Sequence, residues 1–420
     1  MAKKMAKKTG GLPDPFELMK SIDSQAELLS ESEHNITDWI DTGWALLNCA
    51  ISGSMFRGVP GNKILTLCGD SGTGKTFLAC SIARNAQKMG KTILYLDSES
   101  AMDETFATRL GIDSSKMIIR PVSTVLECTQ ILTNLCATLK QQDEEYGEHN
   151  QFYVVLDSIS NLASNKEKED AMAGDNKRDL TRQQQIKSFY RAVVSDMGYL
   201  NVGMTVIAHT YQTMSMYATS AAISGGTGVV YSASVILDLF ASKLADKEND
   251  DAAAKSANSA DIVKTGIIIT AKPRKSRFTI PRKVKIAIPF YRAPTPTAFL
   301  HEFISWKGCG ICRGNILTQK EYDKLSDDDK KKVYVWEHNG ETKYAVEKDT
   351  ARSLVVRHLG GTVPVTDIYK PEVLTEEVMR ELDEKVMRPA FELPDANSNP
   401  VEEIEELVEA SEIGSATTED

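Results

Sequence analysis

The sequence predicts an α/β fold in which a mainly parallel β-sheet is flanked by helices. One observation behind this prediction is a glycine-rich segment of the form G-x-x-x-x-G-K-T at residues 69–76. It follows an apolar run at 64–68 and precedes apolar residues at helical spacing over 77–89. The other is that strand-like apolar runs keep alternating with helical patterns further along the chain. These runs are 92–97, 117–120, 153–157, 204–209 and 235–241.

Beyond residue 245 the pattern changes. Residues 246–260 are rich in Asp, Ala, Asn and Ser and predict a loop. The β-rich runs 262–271 and 283–289, joined by a basic turn, predict an antiparallel extension at one edge of the sheet. Further on, 333–346 predicts a hairpin around an Asn-Gly turn, and 371–386 predicts a charged helix.

These patterns divide the chain into four predicted regions. Residues 1–38 form an N-terminal arm with one or two short amphipathic helices. Residues 39–300 form the main α/β core, and 301–390 form a small α+β region. Residues 391–420 form an acidic tail, which we expect to be disordered.

The formal net charge is −10, and its position matters more than its size. Residues 391–420 hold ten acidic residues and no basic ones, so the first 390 residues are neutral overall. A nucleic-acid partner is therefore compatible with the acidic balance, because the body of the protein can carry a basic surface. No run of about eighteen apolar residues exists, so no membrane partner is predicted. The seven cysteines are scattered along the chain, which favours a cytoplasmic protein.

The glycine-rich segment predicts a site for a nucleoside triphosphate, ATP, with Mg²⁺. A glycine-rich turn between a strand and a helix directs backbone N–H groups into one concavity, at the positive end of the helix dipole. Lys75 can then reach the β- and γ-phosphates, and the hydroxyl of Thr76 can bind Mg²⁺. Asp157 ends an apolar strand about eighty residues later, where the metal-associated aspartate of such a site belongs. The residues predicted to hold the nucleotide are Gly69, Asp70, Ser71, Gly72, Thr73, Gly74, Lys75 and Thr76.

Two further side chains lie at strand ends. Glu99 comes just after the run 92–97, where a carboxylate can face the γ-phosphate and polarise the attacking water. The alternative for Glu99 is a carboxylate that caps a helix. His209 ends the run 204–209, where it is either a functional imidazole or a structural residue with satisfied hydrogen bonds.

Several motifs in this order resemble the RecA-family recombinases, and most of all the UvsX-type strand-exchange proteins of tailed bacteriophages. The resemblance extends over about residues 40–300, and its motifs are Thr42-Gly43 and the segments 69–76, 96–103, 156–158, 208–210 and 225–228. It implies that Glu99 activates the water and that Asp103 and Phe106 contact adenine. It also implies that His209 senses the γ-phosphate and signals to DNA. Bacterial members usually have glutamine at this last position.

The same resemblance implies two DNA-binding loops, 163–183 and 210–232. Small residues let backbone amides approach a phosphate chain, and cations supply local charge. The alternative is two solvated surface loops. The residues expected to bind DNA are Lys166, Lys177, Arg178, Arg182, Gly225, Gly226, Thr227 and Gly228.

The basic segment 272–277 completes the implied site. In the family that the chain resembles, a pair of cations here reaches ATP held by the neighbouring subunit, as an arginine finger does. Lys275 and Arg277 have the expected spacing, and Lys272 and Arg274 share it. The alternative is an edge strand protected by charge.

Taken together, these features predict an ATP-dependent recombinase that polymerises on single-stranded DNA and exchanges strands with double-stranded DNA. Its expected partners include other copies of itself, a recombination mediator and a single-stranded-DNA-binding protein. If the chain is phage-encoded, we expect it in the host cytoplasm. The alternatives are a hexameric helicase on the same core and a kinase acting on a small molecule. Cys309 and Cys312 form a lone C-x-x-C pair, and a zinc site would need His301 or His338 to converge on it.

Overall fold

The computed structural model describes residues 14–23, 26–173, 181–211, 221–244, 265–290 and 293–394. At the N-terminal end, helix α1 (Pro15–Ile22) starts at a proline and is capped by Asp14, which accepts a hydrogen bond from the backbone of Glu17. No residue of α1 is buried. A 3-10 turn (Leu29–Glu31) follows. The predicted short helix is therefore present, and it lies on the surface of the subunit.

The core begins with an antiparallel pair of short strands, β1 (Trp39–Ile40) and β2 (Val59–Pro60). Helix α2 (Ala45–Ser52) lies between them in sequence, and all of its residues are buried. It ends at Gly53, which has a φ of 86°. The apolar segment before the glycine-rich loop thus supplies a fully buried helix to the core.

An eight-stranded sheet forms the centre of the molecule, in the order β12-β11-β10-β3-β7-β6-β4-β5. The six strands from β10 to β5 run parallel, and β11 and β12 add an antiparallel edge. The predicted parallel sheet and its antiparallel extension are therefore confirmed. The strands are β3 (Ile64–Cys68), β4 (Thr92–Asp97), β5 (Met117–Pro121), β6 (Phe152–Asp157), β7 (Met204–Ala208), β10 (Val235–Leu244), β11 (Gly266–Ser276) and β12 (Val284–Pro289).

Helices cover both faces of this sheet. Because side chains alternate along a strand, Tyr95 points to the face that packs with α2 and α3, whereas Leu94 and Leu96 point to the face that packs with α5 and α7. A capping box between Thr124 and Glu127 starts the long helix α5. The core helices after α2 are α3 (Lys75–Lys88), α4 (Glu104–Arg109), α5 (Val125–Tyr146), α6 (Asn165–Ala173), α7 (Thr181–Tyr199) and α8 (Thr227–Ser232).

The two segments expected to be loops contain regular structure. Residues 165–173 form α6, and α7 already begins at residue 181, so the loop prediction for 163–183 is wrong over these parts. In the second segment, β8 (Thr210–Tyr211) pairs with β9 (Ala222–Ile223), and α8 follows. The prediction came from the position of these segments in the family, and position alone does not distinguish a loop from short helices and strands at the surface. Residues 174–180 and 212–220 lie outside the described residues, as do the predicted loop 246–260 and 395–420 of the acidic tail.

The predicted basic turn at 272–277 is mostly strand. Lys272 and Lys275 belong to β11 and pair with Asp238 and Ile236 of β10. The register of this pair shifts between Ile236 and Leu237, and Pro273 is tolerated at such an irregularity. Lys272, Arg274 and Lys275 therefore stand on β11, and Arg277 directly follows its last residue, Ser276.

The C-terminal region contains a second, antiparallel sheet of five strands, in the order β14-β15-β13-β16-β17. The predicted hairpin is confirmed, with Asn339 and Gly340 both at positive φ in its turn. The predicted helix 371–386 begins only at Glu376. The strands are β13 (Ile311–Leu317), β14 (Val333–His338), β15 (Glu341–Glu347), β16 (Ser353–Val356) and β17 (Gly361–Pro364). The short helices are Leu300–Glu302, Trp306–Cys309, Gln319–Asp323, Asp327–Lys330, Arg357–Leu359, Val365–Asp367, Glu376–Leu382, Asp383–Met387 and Arg388–Phe391.

One hydrophobic cluster runs from the main core into this C-terminal region. Leu382 and Phe391 belong to the same buried cluster as Ile51 of α2. The contact is reinforced by buried Asp383, which accepts hydrogen bonds from the Ser54 hydroxyl and the Met55 backbone N–H. Within the described ranges, no helix is long and apolar enough to cross a membrane.

Candidate nucleotide-binding site

The glycine-rich loop joins the central strand β3 to α3, as the sequence predicts. Gly72 and Gly74 have φ values of 76° and 82°, which side chains other than glycine rarely adopt. A Cβ atom on Gly74 would lie 2.7 Å from the terminal carbon of Ile269, whereas one on Gly72 would meet nothing within 4 Å. The backbone of the loop is therefore fixed by its own conformation and, at Gly74, by close packing against β11.

Lys75 is buried at the first position of α3 and crosses the loop. Its ammonium donates hydrogen bonds to the carbonyl oxygens of Gly69 at 2.9 Å and Asp70 at 2.7 Å. Burial lowers the pKa of Lys75, and the nearby carboxylates of Asp157, Glu99 and Asp70 oppose this effect. The ammonium is thus held inside the concavity where phosphate oxygens would lie.

Thr76 and Asp157 meet at the carboxyl edge of the sheet. The Thr76 hydroxyl donates to Oδ2 of Asp157 at 2.8 Å, and the Tyr95 hydroxyl donates to the same oxygen at 2.7 Å. The other oxygen, Oδ1, is buried and has no hydrogen-bond partner. Burial raises the pKa of Asp157, and the hydrogen bonds from Tyr95 and Thr76 partly offset that effect.

These two side chains fit Mg²⁺. A hydroxyl and a carboxylate with one unused oxygen are hard oxygen donors, and Mg²⁺ typically takes one or two protein carboxylates plus phosphates and water. Among the described residues there is no group of three or more His, Cys, Asp or Glu side chains that could hold a metal ion. Thr76 and Asp157 would therefore supply the protein ligands of a nucleotide-bound ion.

Glu99 lies just beyond β4 and faces the end of β7. Its Oε1 accepts hydrogen bonds from the Ser158 hydroxyl at 2.7 Å and from Nε2 of His209 at 3.1 Å. Burial alone would raise the pKa of Glu99, but the hydrogen bonds from Ser158 and His209 and the charges of His209 and Lys75 lower it overall. The carboxylate is therefore held ionised beside Lys75.

Glu99 does not cap a helix. Asp103 is the N-cap of α4, and its Oδ1 accepts a hydrogen bond from the backbone of Phe106. Asp103 is exposed and Phe106 is half-buried. The turn that carries Glu99 is held instead by Asp97, whose Oδ1 accepts from the backbone N–H groups of Glu99 and Ser100.

His209 connects this site to the segment that follows β7. Its backbone N–H donates to the Ser160 hydroxyl at 2.7 Å, while its ring contacts Glu99. The next residue, Thr210, starts β8 and donates its hydroxyl hydrogen to Oδ1 of Asp70 in the glycine-rich loop at 3.0 Å. Two hydrogen bonds therefore join Glu99 and the glycine-rich loop to the start of the predicted second DNA-binding segment.

The residues expected to bind DNA differ in their exposure and in their contacts. Lys166 is exposed on α6. The guanidinium of Arg182 donates to the backbone carbonyls of Ile159, Ser160 and Leu162, so in this structure its charge holds the segment after β6.

The glycine-rich part of the second segment is mainly inside the subunit. Gly225 and Gly228 are buried, Gly226 is half-buried and caps α8, and only the side chain of Thr227 is exposed. Lys177 and Arg178 lie outside the described residues. Of the expected DNA contacts, the structure therefore presents Lys166 and Thr227 on the surface.

The four cations of the basic segment 272–277 have distinct surroundings. Arg274 pairs with Asp238 at 2.8 Å. Lys275 donates to the carbonyls of Val230 at 2.8 Å and Tyr231 at 3.2 Å, near the end of α8. Burial and the charge of Arg277 lower the pKa of Lys275. Lys272 and Arg277 are exposed.

The C-x-x-C pair shows no metal site within the described residues. Cys309 and Cys312 are buried free thiols. His301 contacts the Tyr369 hydroxyl through Nδ1, and His338 contacts the side chain of Asn339. Cys309 packs in the main hydrophobic cluster, and Cys312 packs in a smaller cluster with Trp306.

Sequence reasoning missed four side chains that organise the site: Tyr95, Ser158, Ser160 and Thr210. Ser158 directly follows Asp157, and Thr210 directly follows His209, so adjacency to a predicted site residue was the available signal. For Tyr95 the signal was a phenol inside a fully buried strand, because a buried tyrosine hydroxyl usually needs a hydrogen-bond partner.

Comparison with known proteins adds to this geometry. A family model described as the RecA N-terminal domain matches residues 21–280. The recombination and repair protein of Enterobacteria phage T4 is 29% identical over 213 residues, which make up 50% of this chain and 52% of that protein. Protein RecA of Clostridium beijerinckii is 35% identical over 106 residues, covering 24% of this chain and 28% of that protein. Protein RecA of Gloeothece citriformis is 25% identical over 212 residues, covering 50% and 55%. The chain thus spans about half or less of the length of these relatives.

Proposed function

The chain belongs to the RecA family, and on that premise we propose that it is an ATP-dependent DNA recombinase. In this proposal, subunits polymerise on single-stranded DNA and catalyse pairing and strand exchange with a homologous duplex. The observation that carries the proposal is the hydrogen bond between Glu99 and His209, because it joins the hydrolytic edge of the nucleotide site to the segment that begins at residue 210.

Within the nucleotide site, each side chain has a proposed task. The backbone of residues 69–76 and the ammonium of Lys75 bind the triphosphate. Thr76 and Asp157 hold Mg²⁺, which neutralises charge on the phosphates when it is bound. The carboxylate of Glu99 accepts a hydrogen bond from the attacking water and orients it. Its lowered pKa keeps it ionised for this task.

His209 competes for the same carboxylate. Since Nε2 of His209 donates to Oε1 of Glu99, a phosphate that attracts this N–H would free the oxygen and move the histidine. Thr210 and β8 are at the start of the segment 210–232, so movement of His209 displaces the start of this segment. We therefore propose that triphosphate binding and DNA binding are coupled through this residue.

Contacts between subunits and with adenine complete the proposal. Lys275 and Arg277 reach the triphosphate held by the next subunit, whereas Asp103 and Phe106 contact adenine. To do so, the ammonium of Lys275 must break its hydrogen bonds with the carbonyls of α8, whereas the side chain of Arg277 is exposed. Lys166, Lys177, Arg178 and exposed Thr227 contact the DNA backbone, so sequence specificity should be low.

The test compares ATP hydrolysis with and without single-stranded DNA and examines the complexes by electron microscopy. We expect DNA to stimulate hydrolysis and helical filaments to form. His209→Ala should remove the stimulation, whereas His149→Ala should retain it. The second variant is a matched control, since His149 also bonds a carboxylate, Asp143, but lies in the segment that follows α5.

Three outcomes would overturn the proposal. Hydrolysis indifferent to DNA would favour a small-molecule kinase, and closed rings in place of filaments would favour a helicase. If DNA stimulates ATP hydrolysis equally in wild type and in His209→Ala, His209 does not couple the two sites, even if filaments form.

A further inference from the structure

Tyr95 is the one phenol that reaches the predicted metal ligands among the described residues. It lies in β4, between β5 and β6, and is 1% exposed. It is paired in register with Val155 of β6, two residues before Asp157, and its ring points to the same face of the sheet as α3. Its hydroxyl therefore approaches Asp157 from inside the core.

The hydrogen bonds at Asp157 are unevenly shared between its two oxygens. Oδ2 accepts from both Tyr95 and Thr76, whereas buried Oδ1 accepts from none. Two donors at one oxygen fix the rotation of the carboxylate and leave the lone pairs of the other oxygen available. A buried carboxylate oxygen without a donor is costly unless another group, such as a cation, binds it.

We propose that Tyr95 is a positioning residue for the metal ion of the nucleotide site. It holds Oδ2 of Asp157 so that Oδ1 faces the ion, and its own rotation is prevented by the packed sheet around it. Outer hydrogen-bond partners of this kind typically set metal affinity by a factor of about ten or more. The inference rests on the proposed function only in taking Thr76 and Asp157 as metal ligands.

A control of the same chemistry lies on the adjacent strand. Tyr153 of β6 is also fully buried, and its hydroxyl contacts the Thr205 hydroxyl at 2.8 Å, with no contact to Asp157. Tyr95→Phe and Tyr153→Phe therefore each delete one buried hydroxyl and one hydrogen bond. Only the first change removes a donor to Asp157.

The experiment titrates Mg²⁺ into protein with a fluorescent non-hydrolysable ATP analogue and measures nucleotide affinity. For Tyr95→Phe we expect the Mg²⁺ concentration at half-effect to rise about tenfold, with nucleotide affinity in EDTA unchanged. Tyr153→Phe should titrate like the wild type. 4-Aminophenylalanine at position 95 keeps a donor at the same place and should restore the wild-type midpoint.

The inference is overturned if Tyr95→Phe and wild type have the same midpoint, or if both phenylalanine variants shift equally. Should Tyr95→Phe fail to fold, an unshifted midpoint for a Tyr95 variant carrying 4-methylphenylalanine, which fills the site without a donor, overturns it as well. These readouts need no DNA. A Mg²⁺ effect at Tyr95 without filaments or DNA stimulation would therefore reject the recombinase and leave the role of Tyr95 intact.

Discussion

Asp383→Ala should destabilise the protein more than any other single change of an acidic residue to alanine in the C-terminal region. Asp383 is 1% exposed, and its carboxylate accepts hydrogen bonds from the Ser54 hydroxyl at 2.8 Å, the Met55 N–H at 2.6 Å and Nε of Arg388 at 2.9 Å. Two of these donors belong to the main core. The substitution therefore breaks the polar part of the contact between the two regions.

The expected loss of stability follows from the hydrogen-bond donors that lose their partner in this substitution. The Ser54 hydroxyl and the Met55 N–H become buried donors without a partner, at about 1–3 kcal/mol each. The side chain of Arg388 is 38% exposed, so water can replace its lost partner and its share is smaller. With two such donors, we expect a loss of about 2–6 kcal/mol in the free energy of unfolding.

Urea unfolding followed by circular dichroism measures this loss. Asp328→Ala is the matched control, because Asp328 is 87% exposed and bonds Lys331 on the surface at 2.9 Å. It should change the free energy of unfolding by less than about 1 kcal/mol. If Asp383→Ala lay within about 1 kcal/mol of the control, the three hydrogen bonds would not anchor the C-terminal region, and the reasoning would be refuted.

Two further predictions concern the nucleotide loop and the thiols. Gly74→Ala should destabilise the fold by about 2–4 kcal/mol and weaken nucleotide binding, because strain at positive φ adds to the clash with Ile269. Gly72→Ala should cost only about 1–2 kcal/mol of strain, and equal effects in urea unfolding would contradict the packing argument. At pH 8, none of the seven buried thiols should react with a thiol reagent within minutes, and all seven should react in guanidinium. Burial raises the pKa of Cys68 and of Cys80 to about 12, so a rapidly modified thiol in native protein would contradict the structure.

Sequence patterns were sufficient for the sheet and for the edge at which the site lies. The carboxyl ends of parallel strands share one edge, and Glu99, Asp157 and His209 each lie at or just after a strand end, so the patterns are sufficient to put all three at that edge. The sequence patterns do not predict the order of the strands in the sheet. The contact between Glu99 and His209 depends on β6 alone separating β4 from β7, although the two residues are 110 positions apart in the chain.

The sequence also does not predict the direction in which long polar side chains point. Arg182 was expected to face DNA because it is a cation in a polar segment, yet it binds carbonyls of its own subunit. An aromatic residue in a buried strand usually belongs to the core, so the sequence pattern gives Tyr95 no separate role. Its ring does belong to the core, and only the position of its hydroxyl distinguishes it from the neighbouring apolar residues.

The two key cations share one feature that gives the proposed coupling a physical basis. Lys75 binds carbonyls of the glycine-rich loop, and Lys275 binds carbonyls near the end of α8. Phosphate oxygens are stronger partners for an ammonium than neutral carbonyls are. A triphosphate can therefore draw each lysine away from its carbonyls, and the carbonyls of α8 then lose their cation. Because a ligand shifts an equilibrium only by its different affinity for the two states, this exchange of partners would make the segment 225–232 respond to the nucleotide.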